Sequence, residues 1–168
     1  MASEKLIDSA TQHVNDSSSV GLIVLDTNVA LDAFLFERDP SLEPLRRAVR
    51  DGWVQPIATP WAADEFRNIM KLDKIPADAE RRERAMQRFT QATRIVPLPP
   101  KQSPTPKCAD RDDQEFIDLA VALQAPWLLS RDRKVLKLNR RFIKLELPTR
   151  IMQPVTWCET VGAQLVNR

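Results

Sequence analysis

Apolar and polar residues alternate along the chain in blocks that predict strands and helices in turn. The predicted strands lie at residues 22–25, 53–58, 94–96, 127–130 and near 150. The predicted helices lie at residues 28–36, 41–51, 60–71, 77–92, 111–124 and 133–142, with a last helix ending near 166. Short apolar strands separated by helices are typical of a parallel sheet that is covered on both faces. The pattern predicts an α/β fold, a three-layer α/β/α domain with a short central parallel sheet and Rossmann-like topology.

Two segments depart from this alternation. Residues 1–19 end in NDSSS and hold few large apolar side chains, so we expect a flexible N-terminal extension there. Residues 97–107 read PLPPKQSPTPK, with five prolines, and must form an extended connection. The remaining chain, residues 20–168, has a length that fits a single domain with its own core. Its apolar runs are too short to span a membrane, so we expect a soluble, cytoplasmic protein.

The composition excludes several kinds of catalytic or nucleotide site. The chain has only three glycines, and they are too far apart to form a P-loop or a G-x-G-x-x-G turn. Its one histidine, His13, lies in the polar N-terminal segment, where a Ser-His-Asp or Cys-His arrangement has little support. Any catalysis should therefore depend on carboxylates.

Two aspartates follow predicted strands directly. Asp26 ends the run LIVL, and Asp132 comes two residues after WLLS. In open α/β sheets, ligands bind in the crevice beyond the carboxyl ends of the strands. Each aspartate is also suited to capping the helix that follows it, so either one alone leaves the choice open.

Two more acids lie where a carboxylate is costly. Glu65 shares a helical stripe with Trp61 and Ile69, at i, i+4 and i+8 spacing. Asp113 begins the apolar face of the helical pattern at 111–124, one turn before Phe116. A carboxylate on an apolar face is unfavourable unless a partner compensates its charge.

Gathering Asp26, Glu65, Asp113 and Asp132 in one crevice requires a counter-ion. Two like charges about 4 Å apart repel by about 4 kcal/mol at an effective dielectric constant near 20. A cluster of oxygen ligands suits a hard divalent cation, Mg²⁺ or Mn²⁺. Such a cation promotes attack of water on a phosphate ester.

Four stretches of the chain match a known pattern in order. They are VLDTNV at 24–29, TPWAADEFRNIM at 59–70, CADRDDQEF at 108–116 and WLLSRD at 127–132. Together they resemble the PIN-domain ribonucleases, and CADRDDQEF is similar to the C-x-D-x-x-D-x-x-F stretch of the branch described as toxins of toxin-antitoxin pairs. The likeness covers roughly residues 20–157. Ser130 stands where threonine is usual, and Arg131 where glycine is frequent.

The resemblance implies an endoribonuclease that cuts RNA with Mg²⁺ or Mn²⁺, often as a homodimer and often inhibited by a cognate antitoxin protein. It maps the metal ligands and catalytic acids onto Asp26, Glu65, Asp113 and Asp132. Asn28 and Ser130 are then expected to orient a carboxylate or a bound water.

A basic helix predicted from about residue 133 gains meaning from this resemblance. It would place Val135, Leu138 and Phe142 on one face and basic side chains on the other. The basic residues expected to hold RNA phosphates are Arg131, Arg133, Lys137, Arg140 and Lys144. The alternative is an ordinary solvated helix face.

Two other functions stay open at this point. A phosphatase of the haloacid dehalogenase type also ends its first strand in aspartate, but it needs a second aspartate at position 28, which is asparagine here. A non-catalytic PIN-like module that binds RNA or a protein is the other alternative. Such a module has no reason to keep like charges together.

Overall fold

The computed structural model describes residues 20–101 and 104–166, so the expected flexible segment 1–19 lies outside the described residues. The strands of this part are β1 Gly21–Leu25, β2 Val54–Ala58, β3 Arg94–Ile95, β4 Trp127–Leu129 and β5 Arg150–Met152. The α-helices are α1 Thr27–Leu31, α2 Glu43–Arg50, α3 Pro60–Met70, α4 Ala79–Ala92, α5 Gln114–Ala122, α6 Arg133–Leu136, α7 Asn139–Lys144, α8 Pro154–Trp157 and α9 Ala163–Val166. A π-helical turn extends α1 through Asp32–Phe36, and another, Cys158–Gly162, joins α8 to α9.

The five strands form one parallel sheet in the order β3-β2-β1-β4-β5. In the centre, Val24 of β1 is paired with Ile57 of β2 on one side and with Leu128 of β4 on the other. The chain adds β2 and β3 on one side of β1 and then returns to add β4 and β5 on the other side. The predicted α/β fold with a short central parallel sheet is confirmed. The β1 and β4 ends border the point where the strand order reverses, which is where such sheets bind ligands.

Close packing under the sheet depends on Gly21 and two tryptophans. A Cβ atom added at Gly21 would lie 2.6 Å from the Trp127 ring, so only a hydrogen atom fits there. Trp127 and Trp157 are both fully buried and pack edge to face, with ring centroids 5.8 Å apart. These contacts fix β1 against β4 and against the last helical segment of the described chain.

A second aromatic cluster joins three helices beside the sheet. Phe66 of α3 stacks on Phe89 of α4, with centroids 4.2 Å apart. Phe34, in the π-helical turn after α1, packs edge to face against both rings. The cluster holds α3 in place, and with it Glu65.

The stripe predicted for α3 was wrong by one position. The buried residues are Ala62, Ala63, Phe66 and Met70, whereas Trp61 is 40% exposed. Glu65 therefore lies at the margin of the buried face and is half-buried. A large aromatic residue suggested burial, but packing selected the smaller alanines that fit closely against the sheet.

The basic helix predicted over residues 133–142 was also wrong, because two short helices replace it. Helix α6 ends at Leu136, and α7 begins at Asn139. The Asn139 side-chain oxygen accepts a hydrogen bond from the Ile151 amide at 2.9 Å, which anchors the start of α7 to β5. Val135 and Phe142 are buried as predicted and Leu138 is partly buried against the core, so the apolar face is kept across the break.

None of the helices in the described part of the chain combines the length and the apolar character needed to cross a lipid bilayer.

Candidate active site

Asp26 lies at the end of β1, next to β4. Its amide donates to the Leu129 carbonyl oxygen at 3.1 Å, and its side chain accepts a hydrogen bond from the Val29 amide at 2.8 Å. The residue is only 6% exposed. Burial raises the pKa of the Asp26 carboxyl, and hydrogen bonds from Ser130 and from the Val29 and Arg131 amides partly oppose that rise. Asp26 therefore caps α1 and also presents a buried carboxylate at the sheet edge.

Ser130 connects the two aspartates that follow β1 and β4. It is fully buried, hydrogen-bonds to the Asp26 carboxylate, and accepts a hydrogen bond from the Asp132 amide at 3.0 Å. The Asp132 carboxylate accepts from the Lys134 amide at 2.6 Å and so caps α6. Ser130 therefore contacts the segments of both aspartates, and its orienting role stays a prediction. Asn28, by contrast, is exposed.

Glu65 reaches the same crevice from α3. Its carboxylate accepts a hydrogen bond from the hydroxyl of Thr27, the residue that follows Asp26. The neighbouring Asp64 is exposed and pairs with Arg67 instead. Of the two acids on this helix, Glu65 is therefore the one fixed beside Asp26.

Asp113 lies directly before α5, and its side chain does not cap that helix. Burial, followed by the charges of Asp132, Asp110, Asp26 and Glu65, raises the pKa of the Asp113 carboxyl to about 6. The other three predicted acids thus all lie close enough to affect Asp113. Asp110 is a fifth acid nearby, and it pairs with Lys134 at 3.2 Å.

The crevice meets the chemical requirements of a divalent cation, but its acids do not converge on one point. Within residues 20–101 and 104–166, no three histidine, cysteine, aspartate or glutamate side chains lie close enough together to hold a metal ion. The donors are nevertheless all carboxylate oxygens, which Mg²⁺ and Mn²⁺ prefer. Over the same residues, the Asp113 carboxylate makes no salt bridge with a cationic side chain. The donor set fits a hard cation, and binding would require the carboxylates to move closer together.

Arg131 supplies a positive charge at the rim of the crevice. Its guanidinium pairs with Asp32 at 2.9 Å and approaches Asp39 at 3.8 Å. Burial raises the pKa of the Asp32 carboxyl, and the Arg131 charge opposes that rise. Arg131 was predicted to contact RNA, and these ion pairs occupy part of its hydrogen-bonding capacity.

The other predicted RNA-binding residues are exposed. They are Arg133 and Lys137 around α6, and Arg140 and Lys144 on α7. Arg133, Lys137 and Arg140, together with Leu136, line an open depression of about 580 Å³. Arg133, one of the residues that line the depression, directly follows Asp132 in the sequence.

Sequence reasoning missed the threonines that fix the acidic helices to the strand ends. Thr27 holds Glu65, and Thr59, the fully buried N-cap of α3, donates a hydrogen bond to Glu115 in the first turn of α5. Thr59 had a detectable signal, since threonine before Pro60 is a typical helix start. Its long-range partner had none.

The family comparison agrees with this geometry. The sequence model of the PIN domain family matches residues 22–134. The chain belongs to the PIN domain family. The matched region contains all four predicted acids, from Asp26 to Asp132. No curated protein matches the chain.

PIN domains are generally nucleases, which hydrolyse phosphodiester bonds, and they generally use divalent metal ions. The family match therefore favours nuclease chemistry over the phosphatase alternative, in which position 28 would have to be an aspartate. The carboxyl-end crevice of this PIN domain is the candidate active site.

Proposed function

We propose that this protein is an endoribonuclease that depends on Mg²⁺ or Mn²⁺. The observation that carries the proposal is the half-buried position of Asp113 among Asp26, Glu65, Asp110 and Asp132, with no salt bridge from Asp113 to a cationic side chain in the described residues. Placing several carboxylates near one another requires a compensating cation, because their mutual repulsion lowers the stability of the fold. The location at the switch point of a PIN domain agrees with that function.

Each acid has a defined part in this proposal. Asp26, Asp113 and Asp132 would hold the cation, and Glu65 would complete the ligand set from α3. A Mg²⁺ or Mn²⁺ ion held there would lower the pKa of a water molecule and offset the negative charge on the phosphate oxygens. Thr27 keeps Glu65 turned towards Asp26, and Ser130 keeps the Asp26 and Asp132 segments together. These hydroxyls orient the ligands before the cation arrives.

The proposal is tested with purified protein and single-stranded RNA. Cleavage should require Mg²⁺ or Mn²⁺, stop on chelation, and fall at least about 100-fold in Asp26→Asn, since even residues that support ligands cost 10–100-fold. Asp64→Asn is the matched control, because Asp64 is exposed and pairs with Arg67. Cleavage without a divalent ion, or full activity of Asp26→Asn, would exclude the proposal.

We assign the binding of RNA phosphates to the exposed basic surface of α6 and α7, which includes Arg140 at the depression and Lys144 at the end of α7. Arg140→Glu combined with Lys144→Glu should weaken RNA binding and reduce its salt dependence. The control is Lys71→Glu combined with Lys74→Glu, which makes the same charge change beyond the far end of α3, where both lysines are exposed. Equal effects of the two double variants would identify the basic surface of α6 and α7 as an ordinary solvated surface.

A non-catalytic PIN-like module is the second candidate. The spacing of the acids supports it, since no three of them in the described chain are close enough to share an ion. Titration calorimetry separates the two functions. Binding of Mn²⁺ that is lost in Asp113→Asn supports the nuclease, and absence of binding supports the module.

We also propose that the nuclease is the toxin of a toxin-antitoxin pair and that it forms a homodimer. The support is the likeness of CADRDDQEF, with Asp113, to the toxin branch of PIN domains. Expression of the protein should arrest growth, and the product of a small adjacent reading frame should restore it. Light scattering should give a mass near twice the 19.2 kDa of one chain. Growth unaffected by an RNA-cleaving protein would indicate RNA processing instead.

A further inference from the structure

Trp61 differs from the buried tryptophans of the chain in its exposure to solvent. The side chains of Trp127 and Trp157 are fully buried, whereas Trp61 is 40% exposed. A single exposed apolar residue is common on protein surfaces and by itself indicates nothing. Trp61 is a candidate functional residue because it is also close to the candidate active site.

Trp61 belongs to α3, which carries Glu65, and its indole packs against α5, which begins directly after Asp113. Trp61 is one helical turn before Glu65 on the same side of α3, about 6 Å along the axis. Its ring packs edge to face against Phe116, at 6.0 Å between centroids and 64° between planes. Phe116 is buried and is one turn after Asp113. The ring therefore lies where α3 meets α5, one turn from Glu65 along α3 and against Phe116, which is one turn from Asp113.

Two contacts hold this ring in a fixed place. Phe116 packs edge to face against the ring. The hydrogen bond from Thr59 to Glu115 ties the start of α3 to the first turn of α5 and so keeps the two helices together. A rigid aromatic surface loses little entropy when a ligand stacks on it.

We propose that Trp61 is a stacking platform for a nucleobase next to the cleaved phosphodiester, and that it makes the enzyme selective for single-stranded RNA. This inference rests on the proposed ribonuclease function. Non-specific single-strand sites combine a basic groove with aromatic side chains on which bases stack. Here the basic depression of Arg133, Lys137 and Arg140 supplies the groove, and Trp61 supplies the aromatic surface.

The separation of Trp61 and Glu65 along α3 suits a base one or two nucleotides away. A stacked strand advances about 3.4 Å per nucleotide, so about 6 Å along α3 corresponds to one or two nucleotides. A base inside a duplex is already stacked and paired, and its faces are covered by neighbouring bases. Only an unpaired base can therefore use Trp61 without a further cost.

Substitution of Trp61 tests the inference through RNA affinity. The measurement is fluorescence anisotropy with a labelled oligouridylate of about ten nucleotides, within the range of single-strand site sizes. All variants carry Asp26→Asn to prevent cleavage. Trp61→Ala should weaken binding about 30-fold, the middle of the range for loss of one stacking contact, and Trp61→Phe should weaken it less.

Trp53 provides the matched control. It precedes β2 at the amino end of the sheet, and Arg47 covers its ring at 5.5 Å. Trp53→Ala should leave the RNA affinity unchanged. Thermal unfolding of each variant shows that the fold is kept. Equal affinities of folded Trp61→Ala and Trp53→Ala would overturn the inference.

An abasic scan locates the stacking contact. Removing single bases along the oligonucleotide should weaken binding at one or two positions next to the cleaved bond, and Trp61→Ala should abolish that position dependence. Binding of the same sequence within a duplex should not respond to Trp61→Ala. A wild-type protein that cuts RNA with Mg²⁺ but shows no such dependence overturns only the Trp61 inference. A wild-type protein that neither binds nor cuts RNA overturns the proposed function with it.

Discussion

Asp113 and Asp118 lie five residues apart at the start and in the middle of α5, yet their environments are opposite. Burial and four nearby acids raise the pKa of the Asp113 carboxyl to about 6. Asp118 is also buried, which alone would raise its pKa, but hydrogen bonds from Thr105 and Gln114 and the charge of Lys101 lower it. One carboxylate is surrounded by acids and the other by donors.

The difference separates a functional acid from a structural one. Asp118 accepts from Thr105 at 2.6 Å and Gln114 at 2.9 Å, and it pairs with Lys101 at 2.9 Å. These contacts attach the proline-rich connection to α5. Asp113 has no comparable set of partners in the described chain, so its charge is available to a ligand. Burial alone does not distinguish the two residues, but the sign of the surrounding charge does.

The largest expected effect comes from Asp113→Asn, which should reduce metal-dependent RNA cleavage by at least about 100-fold. The same substitution removes charge repulsion and should raise the thermal midpoint of the metal-free protein. Asp112→Asn, at the exposed neighbouring position, should change neither property. Retained activity in Asp113→Asn would place Asp113 with the structural acids and break the comparison.

Asp118→Ala should have the reverse profile, with a loss of stability and little direct effect on metal binding. Removing a buried charged acceptor leaves the Thr105 and Gln114 donors without their partner and costs about 1–3 kcal/mol. Urea unfolding measures this cost as a lower midpoint at an unchanged slope. Asp112→Ala is the control and should stay within about 0.5 kcal/mol of wild type. A wild-type midpoint in Asp118→Ala would show that the contacts of Asp118 with Thr105, Gln114 and Lys101 contribute nothing to stability.

The smallest effect is in the pH dependence of stability, measured without metal. The pKa of Asp113 is higher in the folded protein, about 6, than its ordinary value of 3.8, so the folded state holds its proton longer. The contribution of Asp113 to stability should therefore decrease as pH rises through that interval. Asp118 has a lowered pKa, and its contribution should disappear as pH falls through the folded value, below 3.8. The measured quantity is the free energy of unfolding of wild type minus that of each variant. For Asp113 this difference should decrease as pH rises from 3.8 to about 6, and for Asp118 it should increase as pH rises towards 3.8. Slopes of the same sign would contradict the assignment.

The sheet could be predicted because its signal is local. The apolar runs that form β1 and β4 are short and uninterrupted, and all of Trp127–Leu129 is buried. Helix α3 was placed correctly but its buried face was not, because the size of Trp61 was taken as a sign of burial. The break between α6 and α7 depends on a contact between Asn139 and β5, which no local pattern reveals.

The acids of the site could be chosen from the sequence because each has an unusual position relative to a strand or an apolar face. Their support could not be chosen in the same way. Thr27 and Thr59 are ordinary polar residues beside helix starts, and their glutamate partners are 38 and 56 residues away. The buried state of Asp118 also depends on distant residues, since two of its three partners, Lys101 and Thr105, lie in the proline-rich connection that packs against α5.

The packing of Trp127 against Trp157 also makes the protein a useful optical sensor. Both indoles are fully buried, so their emission should lie at short wavelength and resist quenching by acrylamide. With Trp53→Phe in place, Trp61 would be the remaining tryptophan that a quencher in solution can reach. Emission at long wavelength would then report on the crevice, while the short-wavelength part would report on the core.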